Sequence, residues 1–491
     1  MKIGIIGAGI GGLATAGLLA NEGHEVHVFE KNDRVGGKMN YVEKNGFRFD
    51  TGPSLFTMPY ILEKLYAKMG TTLQNELTLR PLSPICRYFY KDGTVFDCFE
   101  NNTETLAQIR KFAPEDEKAY LDFLNYSENL YHKTADSFIF NPLYEFKDFK
   151  DLDLLSFFGI DAFSTVSDRV DSKFKSLYLR NFFKRFTTYN GSSPFKAPAT
   201  LNVIPHVEIN QGGFYIDGGL YMLAKNLVKI AESNGVVFHF NANVKKIQTT
   251  NKKVTGILVN EKLFETDIVI SNSDATETVV KLLDSSAASP SKKKKATAVE
   301  PSCSGFVVLL GTDTKYDQLV HHNLFFTSDY EQEFKQIFDE KVMPNDPTIY
   351  IANTSYSNPE HAPKDGSNLF ILVNAPYLSE NYYWGKNSTS YSDLIIDKLE
   401  KRGLTDLKKH IIFQEIITPE DFYHAYASNK GSIYGTSSNS KFAAFARPRN
   451  KFRDVDGLYL VGGSTHPGGG IPLVVQSALN AVELIHRYEN K

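Results

Sequence analysis

The pattern of apolar and polar residues at the N-terminus predicts a strand, a helix and a second strand. An apolar run at 2–6 is followed by small and apolar residues at helical spacing between 13 and 20, and then by the segment EVHVFE at 25–30. A glycine-rich turn, GAGIGG, separates the first strand from the helix. This order is typical of a βαβ unit with parallel strands.

The middle of the chain predicts both helices and strands. Alternation around Asp92-Gly93 predicts a hairpin at 86–99, and amphipathic patterns predict helices at 103–112 and 114–130. Strand patterns recur between 237 and 270, and again in the three apolar runs GFVVLLGT, LFILVNAP and HIIFQEII. We interpret these last runs as a mixed substrate-binding part rather than a second nucleotide-binding unit.

The C-terminal segment predicts the same order of elements as the N-terminus, a strand, a glycine-rich turn and a helix. The sequence GLYLVGGSTHPGGGIPLVVQSALNAVELIHRY predicts an apolar strand, a glycine-rich turn at 462–470 and a helix that opens at Pro472. A glycine-rich turn that leads into a helix start indicates close approach of the backbone to a ligand.

The glycines and the acid of the first unit indicate a dinucleotide site. Gly7 permits a sharp turn, Gly9 has no Cβ to obstruct a pyrophosphate, and Gly12 lets the helix approach the strand. Glu30 ends the second strand, where a carboxylate can accept hydrogen bonds from ribose hydroxyls and disfavours a ribose phosphate. This unit predicts an adenine dinucleotide, and a second glycine-rich helix start at the other end of the chain favours FAD, which is held along its whole length.

Composition excludes several classes of protein. The chain has 491 residues, which favours two or three domains, and a net charge of -3, which gives no sign of a nucleic-acid partner. Its three cysteines have no metal-like spacing, so we expect free thiols, no metal site and a reducing compartment. The chain opens on a core strand and has no long apolar run, so we expect neither a signal peptide nor a membrane-spanning helix.

An aromatic insertion at 138–195 suggests contact with lipid. Phenylalanines alternate there with lysines, a composition suited to an interfacial lid, although an ordinary helical cap fits it equally. The residues concerned are Phe138, Phe140, Phe146, Phe149, Phe157, Phe158, Phe163, Lys147, Lys150, Lys173 and Lys175. A four-lysine run at 292–295 is a solvated surface or a second contact with anionic lipid.

Together these segments resemble the FAD-dependent carotenoid desaturases of the bacterial phytoene desaturase family. The resemblance runs from end to end, and within the family it is greatest to the flavobacterial-type 1-hydroxycarotenoid 3,4-desaturases. The segments that carry it are the N-terminal glycine unit, RVGGK, DTGPS, RFTTYNGSSPFKAPA, LVHHNLFFTSDYEQEF and LVGGSTHPGGGIP.

The resemblance implies an α/β fold, with a Rossmann-like FAD-binding domain of the glutathione-reductase/amine-oxidase type, a mixed-sheet substrate domain and a helical lid. The implied ranges are 1–85, 200–290 and 450–491 for the FAD-binding domain, 86–101 and 291–449 for the substrate domain, and 102–199 for the lid. It also implies a cytoplasmic enzyme that docks peripherally on the inner face of the cell membrane to reach a hydrophobic carotenoid, and it leaves the oligomeric state open.

The resemblance also implies which residues hold FAD. They are Gly7, Gly9, Gly11, Gly12, Glu30 and Lys38 at the ADP half, Ser54 and Leu55 at the flavin, Val244 and Asn272 at the adenine side, and Gly463, Ser464, Ile471, Pro472 and Leu473 at the ribityl chain and flavin edge. Gly463 stands where the wider amine-oxidase group commonly has an acid, so Ser464, backbone or water would contact the ribityl hydroxyls.

A desaturase removes a hydride and a proton from neighbouring carbons, so it needs an acceptor for the proton. His466, in the C-terminal glycine turn, is the best single candidate for a proton acceptor or flavin-tuning residue, and the alternative is that its ring braces the turn. The histidines at 321 and 322 are as readily structural.

Several alternatives remain open from the sequence. Desaturation of phytoene or neurosporene and isomerisation of a carotene are close to the main interpretation. An amine-oxidase-like flavoenzyme is a second class, and a non-catalytic lipid escort similar to the Rab GDP-dissociation inhibitors is a third.

Overall fold

The computed structural model describes residues 1–141, 159–440 and 447–489. Its strands are β1 Lys2–Ile6, β2 Glu25–Phe29, β3 Tyr41–Lys44, β4 Phe47–Asp50, β5 Leu79–Pro81, β6 Cys86–Phe89, β7 Val95–Cys98, β8 Phe214–Ile216, β9 Val237–His239, β10 Val244–Thr250, β11 Lys253–Val259, β12 Lys262–Glu265, β13 Ile268–Ser271, β14 Ser304–Thr312, β15 His322–Phe325, β16 Ile349–Asn353, β17 Ser367–Ala375, β18 Ile411–Ile417 and β19 Leu458–Leu460.

The α-helices are α1 Ile10–Asn21, α2 Pro59–Lys68, α3 Leu73–Glu76, α4 Asn102–Phe112, α5 Glu117–Thr134, α6 Val166–Asp171, α7 Leu177–Lys184, α8 Met222–Ser233, α9 Ala275–Glu277, α10 Pro290–Thr297, α11 Tyr330–Lys335, α12 Trp384–Lys401, α13 Leu407–His410, α14 Pro419–Tyr426 and α15 Ile471–Glu489. Two short helical segments matter for the site, a 3₁₀ segment at Arg185–Asn190 and a π segment at His206–Asn210.

A five-stranded parallel sheet, in the order β19-β13-β1-β2-β9, lies beneath the N-terminal glycines. Its central strand β1 pairs Ile3 with Val26 on one side and with Ile268 on the other. Because the strands are parallel, the turns that follow β1, β13 and β19 emerge at one edge of the sheet. The N-terminal and C-terminal glycine turns therefore meet there, as the sequence predicts.

A second, seven-stranded mixed sheet follows the order β18-β14-β17-β16-β15-β6-β7. The three predicted apolar runs are its strands β14, β17 and β18, and all of β14 is buried. The predicted hairpin forms as β6 and β7 and joins this sheet through parallel pairing of β6 with β15. These two sheets, with helices packed around them, confirm the predicted α/β class, while the predicted domain boundaries remain predictions.

The helices of the insertion agree with the predicted pattern in part. Helix α4 matches its prediction, whereas α5 begins at Glu117 because Pro114–Asp116 forms a 3₁₀ turn first. Phe182 and Phe183 of α7 are fully buried against the hairpin, in an internal aromatic core. Much of the aromatic content of this region therefore packs inward.

The outer part of the predicted lid is only partly covered by the described residues. Phe140 is partly buried beside Tyr60, and Phe163 is 80% exposed. Residues 142–158, with Phe146, Phe149, Phe157, Phe158, Lys147 and Lys150, lie outside the described ranges, and so does the side chain of Phe138. Within the described ranges, no helix has the length and hydropathy needed to cross a bilayer.

The close approach of Gly12 to the backbone of Gly7 predicts a large effect of adding one methyl group. A Cβ at Gly12 would lie 2.2 Å from the carbonyl oxygen of Gly7, so Gly12→Ala must push α1 away from β1. We expect a loss of about 1–3 kcal/mol or more in the free energy of unfolding. Gly385→Ala is the matched control, because nothing lies within 4 Å of a Cβ there and helix propensity favours alanine. Thermal and denaturant unfolding of the two variants check this, and equal midpoints would contradict it.

Candidate active site

One cavity of about 680 Å³ reaches from the glycine edge of the parallel sheet to the mixed sheet. Its dinucleotide end is lined by Gly7, Gly9, Glu30, Gly36, Gly37, Lys38, Val244, Asn272, Gly462, Gly463, Ser464, Ile471 and Pro472. Its far end is lined by Ser54, Leu55, Cys86, Arg185, Tyr189, Glu208, His322, Leu324, Tyr330, Tyr350, Phe370, Leu372 and Tyr434. Most of the residues predicted to hold FAD therefore line this cavity.

The start of α1 forms an uncapped helix end at the cavity. Gly9 is its N-cap residue, in extended conformation, so the cap offers no side chain, and the first turn is uncharged. A Cβ at Gly9 would lie 2.6 Å from Nδ2 of Asn272, so a side chain here would displace that amide. A helix start with free N–H groups and bare backbone fits a pyrophosphate.

Gly11 and Gly12 have a different role from Gly7 and Gly9. Neither is among the described residues that line the cavity. A Cβ at Gly11 would lie 3.1 Å from the backbone nitrogen of Gly462, and Gly12 faces Gly7 as described above. These two glycines therefore allow the two turns and the helix to pack together.

Glu30 is held rigidly at the end of β2. Its side chain is buried, with Oε2 accepting a hydrogen bond from Ala8 N at 2.8 Å and Oε1 accepting one from Asn32 N at 3.0 Å. Each carboxylate oxygen can accept a further bond, so the group can still receive ribose hydroxyls. The geometry fits the adenosine half of a dinucleotide.

Lys38 links the N-terminal turn to a distant segment. Its ammonium donates to the carbonyl oxygens of Ser432 at 2.9 Å and Ile433 at 3.2 Å. Burial lowers the pKa of Lys38 to about 8, and the charge of Asp274 opposes that shift. The side chain lines the cavity, so a positive charge is available there for a phosphate at neutral pH.

Two serine hydroxyls fix the C-terminal turn, one within the turn and one in the helix that follows it. Ser464 Oγ accepts a hydrogen bond from Ala275 N at 2.9 Å, which leaves its hydroxyl hydrogen free to donate. Gly462 N donates to Ser477 Oγ at 2.8 Å. Gly463, Ile471 and Pro472 line the cavity, whereas Leu473 is not among the described lining residues.

His466 is also not among the described residues that line the cavity. Its backbone nitrogen donates to Pro448 O, and its carbonyl accepts from Asn450 Nδ2. Burial lowers the pKa of the ring to about 4, and the positive charge of Arg447 adds to that shift. These contacts belong to the backbone, so both the catalytic role of His466 and the bracing alternative stay predictions.

A chain of three polar side chains lines the cavity where the sequence indicated no site beyond Ser54. Tyr350 Oη lies 2.6 Å from Ser54 Oγ and 2.6 Å from His322 Nδ1. His322 is buried, and its Nε2 has no hydrogen-bond partner within the described ranges. Burial lowers the pKa of His322 well below 6.5, so the ring is neutral and can act only as a weak proton acceptor.

A buried ion pair lies in the same part of the wall. Arg185 Nη2 donates to Glu208 Oε1, and the Tyr189 hydroxyl donates to Glu208 Oε2. The guanidinium also lies over the rings of Phe186 and Tyr88. Arg185, Tyr189 and Glu208 stand in the segments RFTTYN and HVEIN, which mix apolar and polar residues and give no sequence signal of a buried ion pair.

Glu30 gives a test of the dinucleotide site. In Glu30→Gln a single amide oxygen replaces two carboxylate oxygens, so one backbone N–H and the ribose hydroxyls lose charge-assisted bonds. We expect FAD affinity to fall about 10- to 100-fold, measured by flavin fluorescence on titration into apoprotein. Glu25→Gln on the same strand, whose side chain is 60% exposed, should keep the original affinity. Equal affinities of the two variants would contradict the assignment.

The histidines behind the site predict a pH dependence of stability. Burial lowers the pKa of His321 to about 3, with the charge of His361 adding to it, whereas an unfolded histidine titrates near 6.5. Between these two values the unfolded state binds more protons, so this residue costs about 1.4 kcal/mol per pH unit as the pH falls. As the pH falls from about 6.5 to about 5, the unfolding free energy of His321→Gln should therefore rise by about 2 kcal/mol relative to that of the native protein. The difference in unfolding free energy should be constant above pH 6.5, and a constant difference throughout would contradict the prediction.

Comparisons with known proteins agree with this geometry. A family model described as flavin containing amine oxidoreductase matches residues 10–486. A curated relative from Staphylococcus haemolyticus (strain JCSC1435), named 4,4'-diaponeurosporene oxygenase, is 35% identical over 495 residues, which cover 100% of this chain and 98% of the relative. This relative confirms the resemblance to carotenoid-modifying flavoenzymes that the sequence motifs indicate.

Solved structures share the fold. An oxidoreductase from Methanosarcina mazei is 18% identical with a TM-score of 0.66, covering 98% of this chain and 100% of its own. Cyclohexylamine oxidase from Brevibacterium oxydans is 16% identical with a TM-score of 0.64, covering 99% of each chain. The chain belongs to the flavin containing amine oxidoreductase family, and it is an FAD-dependent oxidoreductase.

Proposed function

We propose that the chain desaturates a carotenoid, forming the 3,4 double bond of a 1-hydroxylated acyclic or monocyclic end group. The observation that carries the proposal is the shape of the cavity, which continues from the dinucleotide edge into an apolar wall on the mixed sheet. Leu324, Phe370 and Leu372 in that wall suit a hydrocarbon chain rather than a charged substrate.

FAD, when bound, supplies the acceptor for a hydride. The residues of this chain would then hold the polyene, exclude water and take the proton. Tyr350 and His322 suit the last task, because they are hydrogen-bonded to each other and the ring of His322 is neutral. A weak acceptor suffices, since positive charge left on a polyene spreads over many carbons.

The substrate class supports a peripheral contact with membranes as part of the proposal. Phe163 and Leu177 are 80% and 68% exposed, and Lys173 and Lys175 in the same region are exposed too. Apolar side chains among cations suit the surface of an anionic bilayer. A carotenoid could then enter directly from the lipid.

Oxygenation of a carotenoid is the second candidate. It is favoured by the relative named 4,4'-diaponeurosporene oxygenase, which matches this chain over its full length. Phytoene- or neurosporene-type desaturation and isomerisation use the same substrate class, and product masses separate all of these reactions.

The test is to incubate the FAD-loaded enzyme with liposomes that carry a 1-hydroxylated carotenoid, and to measure product masses. We expect loss of two hydrogen atoms, with the new double bond next to the hydroxylated end. The same carotenoid without enzyme is the control.

Three other results would decide against the 3,4-desaturation. A gain of oxygen would favour the second candidate, and an unchanged mass with altered geometry would indicate isomerisation. In parallel incubations with phytoene or neurosporene, loss of hydrogen only from these non-hydroxylated carotenoids would assign the reaction to the other desaturase type.

A further inference from the structure

A charged pair is buried in the wall of a cavity that is otherwise suited to a hydrocarbon. Arg185 is 6% exposed and Glu208 is 1% exposed, and both line the cavity together with Tyr189. Arg185 lies over the ring of Tyr88 on the mixed sheet, and among the described residues neither group is hydrogen-bonded to Glu30 or to the glycine turns. Their position therefore needs another explanation.

Stability does not supply that explanation. Moving two charges out of water costs several kcal/mol each, and replacing a buried ion pair by apolar residues of similar size is often neutral or stabilising. A structural pair stands nearby for comparison. Arg87 and Asp97 form a two-armed ion pair across the hairpin, but their side chains are 23% and 15% exposed and neither lines the cavity among the described residues.

Arg185 and Glu208 can each make a further hydrogen bond besides those within the described residues. Nε of Arg185 has no hydrogen-bond partner among the described residues, although the atom is buried. Glu208 receives Arg185 on one oxygen and Tyr189 on the other, and each carboxylate oxygen can accept one bond more. The rings of Phe186 and Tyr88 hold the guanidinium in place, with 4.2 Å and 5.1 Å between its central carbon and the two ring centres.

The opposite charges of Arg185 and Glu208 determine which kind of ligand group fits beside them. The pair has no net charge, so an ammonium would face the repulsion of Arg185 and an anion that of Glu208. A hydroxyl is uncharged and can both accept from an arginine N–H and donate to a carboxylate. A carbonyl group can only accept hydrogen bonds, so it could bind to Arg185 but could not donate to Glu208.

We propose that Arg185, Glu208 and Tyr189 form the site that recognises the hydroxyl group on the end of the carotenoid. This inference rests on the proposed function, and it assigns the choice of end group to these three residues. The hydroxyl would anchor one end of the polyene and so fix which carbons lie at the flavin edge. Without a hydroxyl, the pair would face a hydrocarbon and lose water without compensation.

The experiment measures binding separately from turnover. The FAD-loaded enzyme is titrated with a 1-hydroxylated carotenoid and with the same carotenoid lacking the hydroxyl, and binding is followed by the shift of the polyene absorption. We expect the native enzyme to prefer the hydroxylated compound about 10- to 100-fold. The triple variant Arg185→Met, Glu208→Met, Tyr189→Phe leaves no unpaired charge and should bind both compounds equally.

A matched variant controls for the loss of an ion pair as such. Arg87→Met with Asp97→Met removes the neighbouring pair outside the cavity wall and should keep the native preference. Bound flavin, seen by its absorption, confirms that each variant is folded. If the triple variant does not fold, Glu208→Gln should lower the preference to an intermediate value, because an amide oxygen still accepts but carries no charge.

The possible results separate this inference from the proposed reaction. A native preference that survives the triple substitution, an absent native preference, or tighter binding of a carbonyl-ended carotenoid would each overturn the inference. A preference that disappears in the triple variant supports it even if no desaturated product forms, and in that case only the proposed reaction fails.

Discussion

The structure depends on one point at which three backbone segments meet around the side chain of Asn272, with no room for another side chain. The turn after β1, the end of β13 at Asn272 and the turn after β19 converge at the carboxyl edge of the parallel sheet. A Cβ at Gly9 would lie 2.6 Å from Asn272, and one at Gly12 only 2.2 Å from Gly7. This contact positions the start of α1, aligns it with the start of α15 and so defines the end of the cavity that fits a dinucleotide.

The cavity combines two environments that are usually separate. At one end, bare backbone, Glu30 and Lys38 suit a charged cofactor, and at the other, aliphatic and aromatic walls suit a hydrocarbon. Lys38 connects them, because its ammonium binds the carbonyl oxygens of Ser432 and Ile433. Lys38 and Ile433 both line the cavity, so these bonds join the N-terminal turn to the segment that precedes Tyr434.

The sequence predicts most of the framework because its signals are local. The first strand, the first helix and Glu30 follow from apolar spacing and glycine positions within a short stretch, and β14, β17 and β18 follow from apolar runs. The polar groups at the far end are different. Tyr350 meets Ser54 across 296 positions of the chain, so no local pattern could bring them together. His466 shows the converse, since its glycine-rich surroundings indicated a ligand but it is not among the described residues that line the cavity.

The order of strands in the parallel sheet has a consequence for biosynthesis. Strand β19, at Leu458–Leu460, pairs with β13 and carries the turn that completes the dinucleotide end of the cavity. The chain emerges from the ribosome N-terminus first, so the N-terminal glycine turn is synthesised long before β19 and the glycine turn that follows β19. The dinucleotide end of the cavity can be completed only after β19 and the turn that follows it have been synthesised, and until then the unpaired edge of β13 is open to other chains. Pairing of β19 with β13 thus does two things at once: it completes the dinucleotide end of the cavity and it covers an edge of β13 that would otherwise stay open.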